Sequence, residues 1–558
     1  MRPPYFIFFL FLLFFTLFLI SPVFPQASVN VSTLDPVYRD IDKLVAHGLI
    51  DRIIVGQRPY SRKEIARLTA EAMKNLHRLE GKSEQLEYLQ PIFTRLKQNY
   101  HEELVQLGAI EGEKRQYSLH AIEYLELDAL VTNSPQERLL ASGIDAIINP
   151  LVDYREGRHL VQGDNLALET THWLRASDYF AMYVRPRFQL GLGFEEQNND
   201  NTIRIMNLYG KFYFHNFEIE VGRDNLVWGQ GEQAGILLSQ NPRGLDLIKI
   251  SNDSPFYLPW VFKYLGPVKF SFFYSDLGPK QNFPDAYLAG YKLSFEFTSF
   301  FELGAALYDQ SGGQGSPSAS FGERVGDLFP VSHIFLGTQA NEIGNKMFGG
   351  DLRFRIPPLR GIELYSEFMF DDIHEVPSTL FLSDGAYVAG LYLPRLTSSG
   401  GLDLRLEYHY IGYTVYTHGQ YTSGLTLNQF ILGDNLGPQG QGGYLTLNWD
   451  LDFRNLLTFH SAFEKRDIDV YGSTSSTQVI YKKVVDNPAE FRYRGNLEWL
   501  HRPKGLPFLL KAQAGYEYVQ NFNWVQGRNQ NNFLGEVFLQ FNLDRWAHFP
   551  KLGPQNHL

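Results

Sequence analysis

Residues 402–410 read LDLRLEYHY and alternate strictly between apolar or aromatic side chains and charged or ionisable ones. Because successive side chains of a β-strand point to opposite faces, this stretch predicts a strand with one lipophilic and one polar face. A soluble core does not accommodate Asp403, Arg405, Glu407 and His409 on a single face. Solvent could cover that face in an open sheet, so one such strand does not by itself place the sheet in a membrane.

The number of such strands favours a membrane barrel. Short turns, such as 357–361 and 502–505, separate some of them, and longer polar loops, such as 311–327, 434–443 and 472–488, separate others. Short turns at one end and long loops at the other are typical of bacterial outer-membrane barrels. About 425 residues from 117 onward predict an all-β transmembrane barrel of about 16–18 antiparallel strands. A barrel of that width encloses an aqueous channel unless its lumen is filled. Comparable runs cover 269–274, 289–308, 351–356, 362–368, 387–392, 444–453, 456–463, 491–500, 508–519 and 534–543.

The composition of the 558 residues agrees with this class. Aromatic residues make up 15% of the chain, yet the mean hydropathy is only −0.23, as expected for a lipid-facing outside and a polar lumen. A net charge of −11 without a basic cluster argues against a nucleic-acid partner. The absence of cysteine excludes disulfides and thiolate metal sites. A large secreted β-sandwich or propeller is the soluble alternative.

The start of the chain predicts export. Arg2 precedes an apolar run over 5–20, and SPVFPQA at 21–27 is typical of the end of a secretory signal peptide, with cleavage after Ala27. A membrane anchor is the alternative, but the run is short for a spanning helix, which needs about 20 apolar residues. No second long apolar run follows. We therefore expect the outer membrane of a Gram-negative bacterium rather than a helical membrane protein.

Residues 28–112 predict a small α-helical periplasmic domain. Apolar residues at helical spacing follow Pro36, Ser61 and Glu64 form a capping box, and a further helix starts at Ser83 and extends to 107. Residues 37–72 also resemble an S-layer-homology-like module, a unit that can bind cell-wall polymer. The other interpretation, which we favour, is a cap packed on the barrel end. The barrel is then assigned to 113–545 and a C-terminal tail to 546–558.

Residues 221–260 (VGRDNLVWGQGEQAGILLSQNPRGLDLIKISNDSPFYLPW) contain a polar, glycine-punctuated insert between two strands, which we place over 212–221 and 245–250. Amides, carboxylates and guanidinium groups suit sugar hydroxyls, an indole suits a sugar C–H face, and Arg also suits acidic sugars. We expect the insert to lie in or over the lumen, where it shapes the constriction or contacts glycan. The alternative is an ordinary loop with a lumenal Arg223–Asp224 ion pair and Trp228 packed on the wall. The candidate residues are Arg223, Asp224, Trp228, Gln230, Glu232, Gln233, Asn241 and Arg243.

The sequence contains no motif of a catalytic, metal or cofactor site. GxSxG, HExxH and Walker patterns are absent from it. Asp371-Asp372 before His374 could bind a cation, although an exposed acidic loop is the commoner case, and Asp434-Asn435 is typical of a turn. No serine pairs with a histidine in a recognisable pattern, so we expect a protein without enzymatic activity or cofactor. The histidines show no metal-ligand spacing, notably His47, His77, His101, His172, His215, His409 and His418.

The insert also carries a family resemblance. Gly222-Arg223, the WGQG of 228–231 and Asn241-Pro242, followed by GPVKFSF at 266–272, resemble the capsule-assembly Wzi family of outer-membrane proteins, as does the order of signal, helical region and barrel. The resemblance implies a barrel of about 18 strands with a helical periplasmic element. It also implies a non-catalytic surface lectin that helps hold capsular polysaccharide on the cell. Implied partners are capsular or extracellular polysaccharide, outer-membrane lipid, and capsule export machinery or cell wall through the helical domain. The residues leave a porin or substrate-selective diffusion channel as the alternative.

Overall fold

The main body of the protein is a closed barrel of 18 antiparallel strands. The computed structural model describes residues 26–134, 136–141, 143–149, 151, 154–195, 199–233, 235–317, 344–371, 381, 383–473 and 481–547. The predicted fold class is therefore confirmed. The predicted signal peptide and the predicted tail lie almost wholly outside the described residues, and the proposed domain boundaries stay predictions.

Each barrel strand pairs with its neighbours in sequence, and the last strand returns to the first, with Tyr124 opposite Asn542 and Thr132 opposite Leu534. In chain order the strands are β1 Ser118–Thr132, β2 Gly163–Ser177, β3 Phe180–Gly193, β4 Asp200–Phe214, β5 Phe217–Asp224, β6 Leu245–Asn252, β7 Pro267–Asp276, β8 Tyr287–Thr298, β9 Phe301–Ser311, β10 Asn345–Ile356, β11 Ile362–Asp371, β12 Gly385–Leu393, β13 Leu402–Ile411, β14 Gly440–Asp450, β15 Asn455–Arg466, β16 Glu490–His501, β17 Phe508–Gln520 and β18 Gln530–Asn542.

The period-two pattern marks the two faces of the wall. In β13, Leu406 and Tyr408 are exposed on the outside, whereas Glu407 and His409 are buried inside. Two of the predicted strands were too long. Residues 212–221 are split into β4 and β5 by a two-residue turn at His215 and Asn216, and 289–308 are split into β8 and β9 by 299–300. Neither turn contains the glycine or proline that usually signals a hairpin.

The two ends of the barrel differ as predicted. The short-turn end carries the connections 178–179, 215–216, 253–266, 299–300, 357–361, 394–401, 451–454 and 502–507. The long-loop end carries 133–162, 194–199, 225–244, 277–286, 312–344, 372–384, 412–439, 467–489 and 521–529. Of the predicted long loop 311–327, residues 318–327 lie outside the described part, as does much of 372–384.

A small helical region precedes the barrel and has its own apolar core, which includes Leu44, Leu68 and Leu89. It contains α1 Val37–Ala46, α2 Arg62–Lys74, α3 Ser83–Asn99 and α4 His101–Gln106, and α5 Leu543–Ala547 follows the last strand. The Oγ of Ser61 accepts the Glu64 N–H at 3.0 Å, which is the N-cap half of the predicted capping box, whereas the Glu64 carboxylate accepts from Arg67 and Ser254. The predicted third helix is interrupted at Tyr100. Over the described residues, no helix is both long and apolar enough to cross a membrane.

Candidate functional site

The insert between β5 and β6, residues 225–244, folds back into the barrel. Val227–Trp228 pairs with Gln57–Arg58, which reach into the lumen from the helical region. Gly229 fits there because its φ is 127° and a Cβ would lie 2.3 Å from a carboxylate oxygen of Glu367. The glycine-punctuated stretch therefore lies in the lumen.

Carboxylates on the inner wall hold the insert by its backbone. Glu367 on β11 accepts the N–H groups of Gly231 and Ile236 at 2.5 and 2.9 Å. Glu407 on β13 accepts those of Glu232 and Gln233 at 2.7 and 3.0 Å. Each carboxyl group thus satisfies two backbone N–H groups that would otherwise be buried without a partner, so these contacts fix the path of the insert.

An apolar cluster seals the long-loop end of the lumen. Inward side chains of β6 to β13 at that end pack against the insert and against loops 133–162 and 412–439. Packed apolar interiors leave few voids larger than a water molecule, so this part of the lumen is not a water channel. The cluster includes Leu139, Ile148, Trp228, Ile236, Leu238, Leu247, Phe273, Tyr308, Met369, Val388, Tyr416 and Ile431.

Three of the sequence-predicted candidates are buried in this lumenal packing. Trp228 is only 1% exposed, with its ring 5.2 Å from that of Phe273. Gln230 donates from Nε2 to Asp351 at 2.8 Å, and Asn241 donates from Nδ2 to the Ile431 carbonyl at 2.9 Å. The side-chain amide nitrogens of Gln230 and Asn241 thus bind groups of the protein itself.

Arg223 and Asp224 lie on opposite faces of β5, so the lumenal ion pair weighed above is wrong. Asp224 is buried inside and accepts hydrogen bonds from Asn30 and Asn207 at 2.6 and 2.8 Å. Arg223 faces outward, and its Nε lies 2.7 Å from Asp246. Arg243 reaches the same carboxylate at 2.9 Å. The two arginines therefore stand at the outer edge of the barrel rather than in its lumen.

The other two candidates face open space in the lumen. The side chain of Glu232 is 44% exposed and lies 3.7 Å from Arg405, and Gln233 lines a cavity of about 470 Å³. Seven Arg or Lys and seven Asp or Glu residues line this cavity, so it carries no excess of either charge. A second cavity of about 1080 Å³ at the short-turn end shares Tyr124, Leu509 and Gln540 with it. The open part of the lumen thus adjoins the short-turn end.

Loop 133–162 fills the other half of the long-loop end with charge, and the sequence analysis did not single it out. Arg155 pairs with Glu536, Arg158 with Asp128, and Glu137 with Arg492. Glu156 contacts both Arg185 and Arg187 of β3, and its carboxylate lies 3.2 Å from the Arg187 guanidinium. The sequence feature that could have identified this loop is the run YREGR at 154–158, which, like the insert, combines charged side chains with a glycine.

The helical region closes the short-turn end through α1. Arg39 reaches Asp403 and Asp450 at 3.0 and 2.8 Å. The ammonium of Lys43 lies 2.6 Å from Asp403 and donates to the carbonyls of Pro394 and Gly400. Burial lowers the pKa of Lys43 to about 8, opposed by the nearby Asp403 charge. Arg39 and Lys43 of α1 therefore serve as barrel contacts, as the cap interpretation expects.

Among the described residues, Ser118, His120 and Asp544 form a Ser–His–Asp arrangement that the sequence analysis did not predict. The Oγ of Ser118 lies 2.9 Å from His120 Nε2, and Nδ1 of that ring contacts Asp544. Glu102 also lies 3.5 Å from Nε2, so carboxylates face both ring nitrogens and favour the doubly protonated imidazolium. A ring in that state donates to the serine and cannot act as its general base. The arrangement ties α4, β1 and α5 together.

Two further residues singled out in the sequence, His409 and Asp434, bind other side chains of the lumen. His409 lies 2.6 Å from Asp434 and 3.2 Å from Glu407, inside the lumen. The sequence predicted that Asp434 belongs to a turn, and in the structure its carboxylate also accepts a hydrogen bond from Tyr154. Among the described residues, no group of three His, Asp or Glu is placed to hold a metal ion. Asp372 and His374 of the predicted cation site lie outside them.

A closed 18-stranded barrel with a lipophilic outer face and a capped, filled lumen defines an outer-membrane β-barrel protein. The sequence profile of the family Capsule assembly protein Wzi matches residues 132–534, and the chain belongs to that family.

Two relatives are informative. An uncharacterised 55.8 kDa protein in the cps region of Klebsiella pneumoniae is 26% identical over 185 residues, which are 32% of this chain and only 36% of that protein. Wzi from Escherichia coli has the same fold, with a TM-score of 0.62, 15% identity, and coverage of 92% of this chain and 99% of the other. Wzi is described as an outer-membrane protein involved in group 1 capsule assembly and as a carbohydrate-binding β-barrel.

Proposed function

We propose that the protein is a non-catalytic lectin that binds capsular or extracellular polysaccharide and helps attach and assemble it at the cell surface. The observation that carries this proposal is the sealed long-loop end, which presents a folded surface to the outside instead of a pore mouth. Membership of the capsule-assembly family supports it, as does the carbohydrate binding described for the similarly folded Wzi of Escherichia coli.

We place the polysaccharide on the long-loop surface, which most of the predicted candidates do not reach. Tyr413 and Tyr471 stand there with ring centroids 4.6 Å apart, and Tyr471 belongs to the hairpin formed by Val470–Ser473 and Tyr481–Val485. Aromatic rings present an apolar face and a polar edge, which suits the C–H faces and hydroxyls of sugars. The proposed role of the buried insert residues is to fill the constriction and hold this surface in shape.

Catalysis has no part in this proposal. The Ser118–His120 contact lacks a usable base, because carboxylates face both nitrogens of the histidine. For a further contact, to capsule export machinery or to cell wall, we propose the exposed polar residues of α3. Glu87, Gln90, Thr94 and Lys97 are exposed there.

The test is the partition of surface polysaccharide between cells and medium after deletion of the gene. Polymer that is still made but shifts into the medium supports an anchoring role, whereas unchanged retention with reduced uptake of small solutes would favour the channel alternative. Complementation with Tyr413→Ala/Tyr471→Ala should restore the barrel but not retention. Tyr179→Ala is the matched control, because this exposed tyrosine lies in the 178–179 turn at the opposite end.

A further inference from the structure

The connection 253–266 between β6 and β7 is the longest at the short-turn end and carries a cluster of exposed apolar side chains. Trp260–Leu265 form a short 3₁₀ helix without a buried residue. Trp260 and Tyr264 are 76% and 77% exposed, and Val261, Phe262 and Tyr257 are also exposed. Exposed apolar residues are normally scattered singly, so a cluster of this kind marks a contact surface.

This segment lies against the outside of the barrel wall. The segment ends at Gly266, whose φ is 78°. The backbone lies so close to β8 at this point that a Cβ on residue 266 would be 1.9 Å from the Glu296 carbonyl oxygen. Phe297, the next residue of β8, has its ring 5.8 Å from those of both Phe295 and Phe301. The exposed segment therefore continues an aromatic row on the lipid-facing surface.

The base of the same connection is held by the helical region. Ser254 donates to Glu64 at 2.8 Å, and Asp253 lies 3.3 Å from Lys63. The Arg52 guanidinium stands 5.5 Å above the ring of Tyr257. These contacts fix the first residues of the connection and leave 260–265 projecting beside the wall.

We propose that residues 257–265 form a membrane anchor that inserts into the boundary between headgroups and acyl chains of the phospholipid leaflet at the short-turn end. That leaflet is the periplasmic one in the bacterial arrangement. Trp and Tyr rings favour this boundary, and Val261 and Phe262 are suited to the acyl region. The ammonium of Lys263, 5.2 Å from the Tyr264 ring, is placed to meet lipid phosphates. Because Arg52 and Lys63 of the helical region contact this connection, the anchor also fixes the position of the helical region relative to the membrane surface.

The absence of cysteine from the chain allows a single-site test. Phe262→Cys in the full-length protein, labelled with an environment-sensitive fluorophore, is reconstituted into vesicles of phosphatidylethanolamine and phosphatidylglycerol. The label should emit at shorter wavelength, be quenched by brominated acyl chains and be protected from iodide. Lys504→Cys is the control, because Lys504 is exposed in the 502–507 turn at the same end and should stay aqueous.

Two results would overturn the anchor. A label at 262 that iodide quenches as strongly as the one at 504 places the segment in water. A label protected from iodide but not quenched by brominated lipid shows that protein, not lipid, covers it. A second variant, Trp260→Ser/Val261→Ser/Phe262→Ser with the label at Tyr264→Cys, should lose most of the brominated-lipid quenching. It should still fold, since none of these side chains is buried.

Discussion

At the residue scale, Trp228 and Arg223 show how position decides the role of a side chain. Both suit sugar binding by chemistry, yet Trp228 packs between Phe273 and Tyr308 and Arg223 pairs with Asp246 outside the lumen. Removing a buried aromatic side chain costs about 3–5 kcal/mol. A surface ion pair contributes about 0–1 kcal/mol. Loss of the Trp228 side chain should therefore reduce the stability of its surroundings far more than loss of the Arg223 side chain.

Trp228→Ala should loosen the insert while leaving the wall intact, because strand pairing does not depend on this side chain. We expect faster proteolysis within 225–244 in the purified protein, with no change in the heat-dependent gel mobility of the folded barrel. Arg223→Ala should behave like the wild type in both assays. Equal protection of the insert in both variants would show that Trp228 does not hold it.

Elements were predictable where local pattern determines them and unpredictable where distant contacts do. Alternation was enough for most strands and for the two faces. It did not place Arg223 and Asp224 on opposite sides, because the predicted strand ended at 221 and the observed one continues to Asp224. The turn at His215 and Asn216 lacked a composition signal. The inward path of the insert depends on Glu367, which accepts the N–H of Gly231. The two residues are more than 130 positions apart in the sequence, and no local pattern carries that information.

The attachment of α1 is an element with a clear weak point. Lys43 is fully buried against Asp403, and removing one partner of a buried pair costs about 3–5 kcal/mol when the other charge is left uncompensated. Arg39 lessens this cost because it also contacts Asp403, at 3.0 Å, but the hydrogen bonds of the Lys43 ammonium to the Pro394 and Gly400 carbonyls are lost as well. Lys43→Ala should therefore raise hydrogen exchange of α1 and speed proteolytic release of the helical region. Lys43→Met with Asp403→Asn should recover much of the protection, since no unpaired charge remains.

Arg78→Ala is the comparison for this prediction. Arg78 also forms an ion pair, with Asp51 at 2.6 Å, but both side chains are largely exposed, so its loss should change little. Equal exchange of α1 in the Lys43→Ala and Arg78→Ala variants would mean that the buried pair does not hold the helix on the barrel.

At the scale of the whole molecule, the barrel is wide enough for a channel but is filled from three directions. The insert and loop 412–439 supply an apolar seal, loop 133–162 supplies a charged one, and the helical region caps the opposite end. Wall carboxylates that a porin would present to water are used to bind backbone N–H groups. This arrangement suits a rigid platform whose outer surface does the binding.

The filled lumen predicts little current through the wild-type protein in a planar bilayer. Replacing 228–241 by a short Gly-Ser linker together with Arg155→Ala and Arg158→Ala should open a steady conductance, because it removes the part of the apolar seal that the insert supplies and two charged contacts of loop 133–162. Deleting 471–484, which removes most of a hairpin on the long-loop surface, should leave the barrel closed. Steady wild-type conductance equal to that of the opened variant would contradict the seal and revive the diffusion-channel alternative.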